Sequence, residues 1–386
     1  MRVLLVSQEY PPETGWGGIG TYLGLVAPAL AAAGAEVHVL SVVDGQPSST
    51  RSADGVTVHR RGLGRRVRGP GRVLPQSWKR IELAAAVARA VRALDGSFDV
   101  VESPEWMAES LLLRRRPLVV RLHSSAAQVF PFVGRSGLDA RLAIAAEERG
   151  IARADLLVGT AVQLASHRHA VPDVAISYPV ALREPRPAWD PAGGAPPRIV
   201  FAGRFEHRKG VDRLLEALPA VRRRVPTALL EIVGRDTTTP TGGSVLDELR
   251  ARAAALGVAD GLRVTEKWGR EAVEEALDGA AVCAVPSRWE SFGYVAAEAL
   301  SGATPLVVSD WPSFRDVTGD EGLVPIVAGD DPEAWGAALA AAIEDPRAAR
   351  EAAEAGRDRL RERAAPAVVA GQTLDAYARA RAGRGR

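Results

Sequence analysis

The chain has 386 residues, of which 47% are hydrophobic and 25% charged, and its formal net charge is +2. This length favours two or three domains, and the balanced charge excludes a strongly polycationic or polyanionic protein. The single cysteine, Cys283, excludes an intramolecular disulfide framework and a thiolate metal cluster.

The first residues predict a strand and not a signal peptide, because their apolar run is too short for a secretory core. Nowhere is there an apolar stretch long enough to span a bilayer. We therefore expect a cytoplasmic protein, and the sequence carries no signature of nucleic-acid binding.

Through the first half of the chain, apolar strand-like runs alternate with helical patterns. Helices are predicted at residues 20–33 and 81–94. Strands are predicted at residues 3–7, 36–42, 56–59, 99–102, 118–122 and 156–158. This alternation is typical of a doubly wound parallel sheet. We assign residues 1–182 to a first Rossmann-like domain.

Residues 183–197 are rich in proline and glycine, which predicts a linker. A second alternation follows, and we assign residues 198–364 to a second Rossmann-like domain and residues 365–386 to a final helix. Its strands are predicted at residues 198–203, 228–233, 262–265, 281–285 and 305–309. The fold class is therefore α/β, and we expect the two domains to face a central cleft that holds a small-molecule site.

A glycine cluster, Gly15 to Gly20, fits the pattern G-x-G-x-x-G of dinucleotide-binding enzymes. A dehydrogenase is therefore one alternative. That fingerprint needs its first glycine in the tight turn directly after the strand, whereas Pro11 and Pro12 intervene here and forbid such a turn. We favour a longer loop whose backbone amides face a ligand at the start of the next helix.

Polar side chains follow two strands of the first domain. His123 stands at the tip of one strand, and Glu105 and Trp106 stand at the tip of the preceding one. Ligands of open α/β sheets bind outside the carboxyl ends of the strands. His123 is therefore interpreted as functional, and Glu105 and Trp106 as candidate acceptor contacts, with an ordinary loop as the alternative.

A basic turn follows the first strand of the second domain. Within residues 201–210 it carries Arg204 and Lys209, and Lys209 is one of only three lysines in this arginine-rich chain. A planar guanidinium and a compact ammonium together suit a pyrophosphate. A solvated basic turn is the alternative interpretation.

Two carboxylates eight residues apart, Glu290 and Glu298, flank the end of the apolar run 281–285. Glu290 is predicted in a loop, and Ser291 is predicted to begin the helix that carries Glu298. Two acids at a strand end and a helix N-terminus suit a ligand that has many hydroxyls and a phosphate. No Asp-x-Asp and no zinc-ligand spacing occurs, so we expect neither a metal nor a cofactor.

These motifs together resemble the retaining glycosyltransferases of family 4, which have the GT-B fold. The resemblance rests on Gly-Arg-Phe-Glu-His-Arg-Lys-Gly at 203–210 and Pro-Ser-Arg-Trp-Glu-Ser-Phe-Gly at 286–293, with Glu298. It extends over nearly the whole chain, to the glycine loop, to His123 and to the final helix. Asp316, where the family often has glutamate, departs from the pattern.

The resemblance implies a role for each motif residue. Arg204 and Lys209 would hold the donor diphosphate, and Glu298 the ribose hydroxyls. Glu290, with Ser291 and the backbone amides of Phe292 and Gly293, would hold the transferred sugar. Gly18 would stand beside the diphosphate and the acceptor, and His123 near the sugar and the acceptor. Arg204, Lys209, Glu290 and His123 would form the catalytic set, while Tyr22, Glu105 and Trp106 are weak acceptor candidates.

The resemblance also implies the reaction: transfer of a sugar from a nucleotide-diphosphate donor, taken first as a UDP-sugar, to a hydroxyl of a small molecule, lipid or glycan. It favours same-face attack, whereas double displacement would need a carboxylate beneath the anomeric carbon. A mannosyltransferase using GDP-mannose on a lipid or polysaccharide is an alternative, and a silent nucleotide-sugar-binding subunit is another.

A basic segment at residues 60–80 surrounds Trp78 and could give weak peripheral contact with an anionic membrane. A mobile basic loop in an arginine-biased chain is the favoured alternative. The basic residues of this segment are Arg60, Arg61, Arg65, Arg66, Arg68, Arg72, Lys79 and Arg80.

Overall fold

The computed structural model describes residues 1–14, 17–45, 47–64, 69–114, 117–160, 172–239, 241–267, 269–319 and 322–383. They form two compact units. The first unit comprises Met1–Pro179 with Ala364–Arg386, and the second comprises Val180–Arg363. No helix among these described ranges combines the length and apolarity that crossing a membrane requires.

The first unit is built on an eight-stranded sheet. Its strands are β1 (Arg2–Val6), β2 (Glu36–Val42), β3 (Ser49–Ala53), β4 (Val56–Arg61), β5 (Val100–Pro104), β6 (Leu118–Arg121), β7 (Leu156–Gly159) and β8 (Val174–Ala175). They lie in the order β3-β4-β2-β1-β5-β6-β7-β8. All neighbours are parallel except β3, which pairs antiparallel with β4 at the edge. The predicted doubly wound sheet is thus present, with one polar edge strand that periodicity did not reveal.

Helices follow the strands of this unit and cover the sheet. They are α1 (Gly18–Ala32), α2 (Pro75–Arg92), α3 (Ala126–Val129) and α4 (Gly137–Ile151). The core between helices and sheet includes Leu4, Leu40, Val87, Val101 and Val120, all almost fully buried. Burial of such aliphatic side chains contributes about 1.5–3 kcal/mol each.

The second unit is built on a six-stranded parallel sheet. Its strands are β9 (Arg198–Arg204), β10 (Leu229–Arg235), β11 (Leu262–Thr265), β12 (Val282–Val285), β13 (Leu306–Ser309) and β14 (Ile326–Val327). They lie in the order β11-β10-β9-β12-β13-β14. This is the doubly wound order in which the first three strands run one way from the centre and the last three the other.

The helices of the second unit pack around Phe201, Leu214, Ile232 and Trp335, which are almost fully buried. Those helices are α5 (Val211–Arg224), α6 (Val245–Ala255), α7 (Arg270–Leu277), α8 (Tyr294–Ser301), α9 (Phe314–Thr318), α10 (Pro332–Glu344) and α11 (Pro346–Ala364). The segment predicted as a linker lies in this unit, where the Arg186 amide donates to the Gly302 carbonyl at 3.0 Å.

The last helix, α12 (Pro366–Ala382), lies in the first unit although it ends the chain. The Tyr377 hydroxyl donates to Glu102 Oε2 at 2.9 Å, and Arg121 donates to Thr373 Oγ1 at 3.2 Å. These buried contacts attach α12 to the carboxyl halves of β5 and β6.

The strand order reverses once in each sheet, and this positions the candidate site. In the second unit the reversal lies between β9 and β12, and in the first unit between β1 and β5. Connections leave the sheet in opposite directions at such a point, which opens a crevice outside the carboxyl ends. The loops after these four strands are therefore where ligand contacts are expected.

Two glycines face each other near the carboxyl ends of the paired strands β9 and β10. Gly203 and Gly234 are register partners, with φ of +151° and +155°. A Cβ atom at position 234 would overlap the Gly203 carbonyl oxygen. Only glycine fits this conformation and this approach, so the strand ends that precede the site depend on it.

We expect Gly234→Ala to destabilise the protein by about 2–4 kcal/mol, through the clash and the unfavourable φ. The same substitution at Gly371, an exposed site in α12 where a Cβ meets no atom within 4 Å, is the control. Gly371→Ala should be neutral or stabilising by up to about 1 kcal/mol. Thermal melting followed by circular dichroism measures both, and equal melting temperatures for the two variants would contradict the argument.

Candidate active site

The basic turn of the second unit leads from β9 into α5. Its 3₁₀ turn, His207–Lys209, ends at Gly210, which has φ of +73°. A Cβ atom at position 210 would overlap the Pro286 carbonyl oxygen. The turn thus lies directly against the loop that leaves β12, because glycine permits that approach.

The central contact of the site joins Lys209 to Glu290. The Lys209 ammonium donates to Glu290 Oε1, and the Ser287 hydroxyl donates to the same oxygen at 3.1 Å. The two charged side chains are only 19% and 10% exposed. The sequence predicted both residues, and the structure brings them together at the strand-order reversal.

Burial and charge act in opposite directions on this pair. Burial raises the pKa of the Glu290 carboxyl, but the charges of Lys209 and Arg208 outweigh burial, so its pKa lies below the ordinary value. Burial lowers the pKa of the Lys209 ammonium, and the Glu290 carboxylate opposes that shift. Glu290 is therefore an ionised acceptor at neutral pH.

Two arginines fasten the loops that carry this pair. Arg208 donates to the Trp289 carbonyl at 3.1 Å, and its guanidinium lies 5.4 Å from the centre of the Trp289 ring. Arg288 donates to both oxygens of Asp212 at 2.8 Å and to the His207 carbonyl at 2.7 Å. Bidentate contacts of this kind are geometrically specific. The basic turn and the loop after β12 are thus held as one assembly.

The side chain of Arg204 is more exposed to solvent than those of Arg208 and Arg288. Arg204 ends β9, its side chain is 51% exposed, and it lies 3.0 Å from Glu206. Glu206 also accepts from Arg208 at 2.8 Å. Because one carboxylate is shared by two guanidiniums, Arg204 retains capacity for a further anion.

Glu298 lies in the second turn of α8, which begins at Tyr294 and not at Ser291 as expected. Gly293 precedes the helix with φ of +97°, and a Cβ there would lie 2.7 Å from the Phe314 ring. Ser291 and Phe292 therefore belong to the connecting loop. Burial and then the nearby charge of Glu298 raise the pKa of the Cys283 thiol to about 12, so this cysteine is inert.

In the first unit, His123 follows β6 and is held through its backbone. Its amide donates to both oxygens of the Glu105 carboxylate, at 2.8 and 2.9 Å. Glu105 is fully buried, and this burial raises its pKa to about 8, with the nearby Glu147 charge adding to the effect. The structure thus joins two residues that the sequence predicted separately.

Of the three candidate acceptor residues, two are enclosed in the first unit. Tyr22 and Glu105 are both fully buried, and the Tyr22 hydroxyl donates to Glu102 at 2.9 Å. Trp106 is partly exposed, and its ring lies 5.6 Å from the Arg80 guanidinium. The periodicity of the sequence could not show this, because it does not reveal which strand-tip side chains turn inward.

The N-terminus of α1 is occupied by a side chain of its own unit. Glu9 Oε2 accepts from the Gly17 amide at 3.2 Å and from the Gly20 amide at 2.9 Å. Gly18 is the first residue of the helix, whereas Gly15 lies outside the described residues. A carboxylate at a helix N-terminus shows that these amides favour an anion. No sequence pattern had singled out Glu9.

Comparison with known proteins decides the family. Residues 17–177 match the glycosyl transferase 4-like domain, and residues 189–359 match the glycosyl transferases group 1 family. The chain is 31% identical to D-inositol 3-phosphate glycosyltransferase of Saccharomonospora viridis, over 86% of this chain and 82% of that protein. The chain belongs to the group 1 glycosyltransferases of family 4.

Further similarities span almost all of this glycosyltransferase. It is 28% identical to glycogen synthase of Mycobacterium tuberculosis, over 99% of this chain and 96% of that protein. Its fold is similar to that of sucrose-phosphate synthase from Thermosynechococcus elongatus, with a TM-score of 0.75 and 21% identity over 98% of both chains. The predicted family and the GT-B fold are confirmed, and a dehydrogenase is excluded as the family.

Sequence reasoning missed the residues that hold the site together. Ser287 contacts Glu290, Tyr178 contacts His123, and Glu9 accepts from two amides of the glycine loop, at Gly17 and Gly20. No spacing in the sequence encodes these hydrogen bonds. Within the described ranges, no group of three His, Cys, Asp or Glu side chains is placed to hold a metal ion.

The raised pKa of Glu105 predicts a pH dependence of stability. A folded-state pKa of about 8, above the ordinary 4.5, means that the folded protein binds this proton more tightly than the unfolded chain. The contribution is therefore present below about pH 5 and is lost as the pH rises towards 8. We expect the wild-type melting temperature to fall from about pH 6.5 to 8.5, and to fall less in Glu105→Gln.

The glutamine keeps an oxygen that can accept the His123 amide, so the fold should survive. Glu109, whose pKa burial also raises to about 8, leaves a residual slope in the variant. Exposed Glu362→Gln in α11 is the control and should keep the wild-type slope. A Glu105→Gln slope as steep as that of wild type would show that this carboxyl does not carry the effect.

Proposed function

We propose that this glycosyltransferase transfers a sugar, with retention of anomeric configuration and without a metal ion, from a nucleoside-diphosphate donor to a hydroxyl acceptor. The donor proposed first is a UDP-sugar. The observation that carries the proposal is the Lys209–Glu290 pair at the strand-order reversal, with half-exposed Arg204 on the same strand ends. Cations and an ionised acceptor in one place suit a diphosphate next to a sugar.

The diphosphate is assigned to Arg204 and Lys209. An ammonium has three donors, so Lys209 can keep its bond to Glu290 and still donate to a phosphate oxygen. Arg204 can offer two parallel donors to a second oxygen. Each charge-assisted bond contributes roughly 1.5–3 kcal/mol. These positive charges take the place that a metal ion holds in other diphosphate sites.

The sugar is assigned to Glu290 and the ribose to Glu298. An ionised carboxylate is an acceptor with about four lone-pair sites, and Lys209 and Ser287 both donate to one oxygen of Glu290. The other oxygen is the one we assign to sugar hydroxyls, assisted by Ser291 and the amides of Phe292 and Gly293. Gly18 is proposed beside the diphosphate, and His123 beside the sugar and acceptor.

In the proposed reaction the bond from the anomeric carbon to the diphosphate oxygen breaks, and a bond to the acceptor oxygen forms on the same face. The acceptor hydroxyl proton passes to the departing phosphate oxygen. Charge develops on that leaving group, and preorganised cations there are the largest expected protein contribution. Glu290, paired with Lys209, acts as a hydroxyl acceptor and not as the nucleophile.

A GDP-mannose donor with a lipid or polysaccharide acceptor is the second candidate, and a silent nucleotide-sugar-binding subunit is the third. Thermal shifts with UDP, GDP, dTDP and ADP and their sugars rank the donors, because a ligand at about 100 times its Kd stabilises by about 2.7 kcal/mol. Product NMR reports the anomeric configuration, and the rate in EDTA tests metal independence. A product with inverted anomeric configuration would contradict the proposed retention, and loss of transfer in EDTA would contradict the proposed metal independence.

We expect Lys209→Ala to lower the rate of transfer by roughly several hundred-fold, as for one removed donor to a developing oxyanion. The matched control is Lys79→Ala, an exposed lysine of the other unit, assayed with a soluble acceptor. Near-normal turnover of Lys209→Ala would remove the diphosphate assignment. Wild-type protein that binds nucleotide without turnover or donor hydrolysis would instead favour a silent subunit.

We also propose that the first unit makes weak peripheral contact with an anionic membrane, which fits a lipid acceptor. Two of the predicted basic residues do not take part: Arg60 and Arg80 are buried and pair with Glu13 and Glu147. Arg65, Arg66 and Arg68 lie outside the described residues. Arg72 and Lys79 are exposed.

An apolar face that the sequence did not predict carries this proposal. We call it the docking face; its exposed hydrophobic residues are Val73, Phe132, Val133, Leu138 and Leu142. Asp139, which follows Leu138 in α4, accepts from the amides of Gln76 and Ser77 at the start of α2, both at 2.9 Å. This contact holds the segment near Val73 against the segment of Leu138. Exposed basic side chains stand among the apolar ones: Arg72, Lys79, Arg135 and Arg141. Apolar insertion with basic flanks is typical of interfacial binding.

We expect sedimentation with phosphatidylcholine vesicles that contain about 30% phosphatidylglycerol, and little with phosphatidylcholine alone. Leu138→Ser with Leu142→Ser should weaken vesicle binding by about tenfold or more. Ile326→Ser, which removes an exposed isoleucine of the second unit, is the control. Equal sedimentation of both variants, or self-association of wild type without vesicle binding, would contradict the docking face.

A further inference from the structure

Tyr178 contacts the ring of His123 and the backbone beside it. Its hydroxyl lies 2.7 Å from His123 Nδ1 and 3.1 Å from the Leu122 carbonyl oxygen. The two rings stack with centres 5.2 Å apart and planes 9° from parallel. Tyr178 is 2% exposed and His123 is 4% exposed. This tyrosine lies near the end of the first segment of the first unit, Met1–Pro179, and it matched no motif in the sequence.

The hydroxyl carries a single hydrogen, and this fixes the direction of both contacts. A carbonyl oxygen only accepts, so the Leu122 contact is a hydrogen bond only if Tyr178 donates to it. The contact with the imidazole is then a hydrogen bond only if His123 Nδ1 carries the proton and donates to the tyrosine oxygen. The opposite arrangement would set two oxygen lone pairs against each other at 3.1 Å.

We propose that Tyr178 is a positioning residue that holds His123 as the Nδ1–H tautomer, so that Nε2 is the acceptor atom of the ring. The functional part of this inference rests on the proposed function, in which His123 contacts the sugar or the acceptor. A neutral imidazole with an acceptor at Nε2 recognises a hydroxyl, which donates. It does not act as a cation for a phosphate.

The charged and titratable groups around the ring agree with a neutral histidine. Burial, and then the charge of Arg121, lowers the pKa of His123 well below its ordinary value. Tyr22 meets the ring edge-on at 5.2 Å, and its hydroxyl is bonded to Glu102. The Glu105 carboxylate accepts from the His123 backbone amide. The ring orientation and the backbone of His123 are therefore both set by buried neighbours, with the Tyr178 hydroxyl at Nδ1.

The tautomer is measured directly by NMR of the full chain labelled with ¹⁵N-histidine, with the His123 signals assigned by their loss in His123→Asn. We expect Nδ1 protonated and Nε2 unprotonated in wild type, and loss of that single tautomer in Tyr178→Phe. Tyr377→Phe, which removes another buried tyrosine hydroxyl of the same unit, should leave the His123 signals unchanged. A wild-type Nε2–H form, or an unchanged tautomer in Tyr178→Phe, would overturn the inference.

Activity then tests whether the tautomer matters for transfer. We expect Tyr178→Phe to lower kcat/KM by about tenfold, and to cost less than about twofold when His123 is already alanine, because both changes remove one interaction. Additive losses would contradict a role through His123. Full transfer by His123→Ala would remove the proposed role of His123, and absence of transfer by wild type would contradict the proposed function. Neither result would alter the wild-type Nδ1–H tautomer that NMR measures.

Discussion

The candidate site of the second unit is organised around one ion pair, Lys209 with Glu290, formed between two loops that leave the sheet on either side of its reversal. A largely buried pair of this kind returns its desolvation cost only when the geometry is fixed and the remaining lone pairs are satisfied. Ser287 supplies a further donor, and the cross-links of Arg208 and Arg288 fix the two loops. The pair is therefore preorganised, with the cation and the acceptor held together by the protein's own contacts.

In the first unit, the loops that leave the sheet are also fixed by carboxylates, but the partners of these carboxylates are backbone amides and not cations. After its strands, acids bind backbone amides: Glu105 accepts from the His123 amide, and Glu9 accepts from the Gly17 and Gly20 amides at the start of α1. Amides carry only partial charge, so burial prevails and raises the pKa of Glu105. In the second unit full cations face Glu290, and its pKa falls instead. At the carboxyl ends of both sheets, the partner therefore decides the direction of the pKa shift. The pKa of a buried carboxyl rises where its partners are amides and falls where they are cations.

Repeating patterns made the fold predictable, whereas single contacts limited the prediction of the site. Strand β11 and strand β2 have the predicted bounds because apolar and polar residues alternate along much of both. Strand β3 is polar on both faces and gave no alternation, so only its pairing with β4 reveals it. Basic residues could be counted from the sequence, but their burial could not: Arg80 looked like a surface charge until its pairing with Glu147 was seen. Exposure depends on which segments meet, and the apolar face around Leu138 was missed for the same reason.

The presence of lysine and not arginine at position 209 has a physical reason, because Lys209 and the adjacent Arg208 make different kinds of contact. Arg208 makes the contacts that need a wide planar group: it lies over Trp289, reaches the Trp289 carbonyl and bonds Glu206. Lys209 instead makes a contact that suits a point charge, in which its ammonium donates to a carboxylate oxygen that Ser287 also reaches. A guanidinium there would have five donors to satisfy in a fixed fork, and it could not turn between Glu290 and an incoming phosphate. On the proposed diphosphate assignment, an ammonium on a flexible stem can keep the carboxylate and still reach the anion. In a chain that uses arginine at nearly every basic position, this requirement accounts for a lysine at this one.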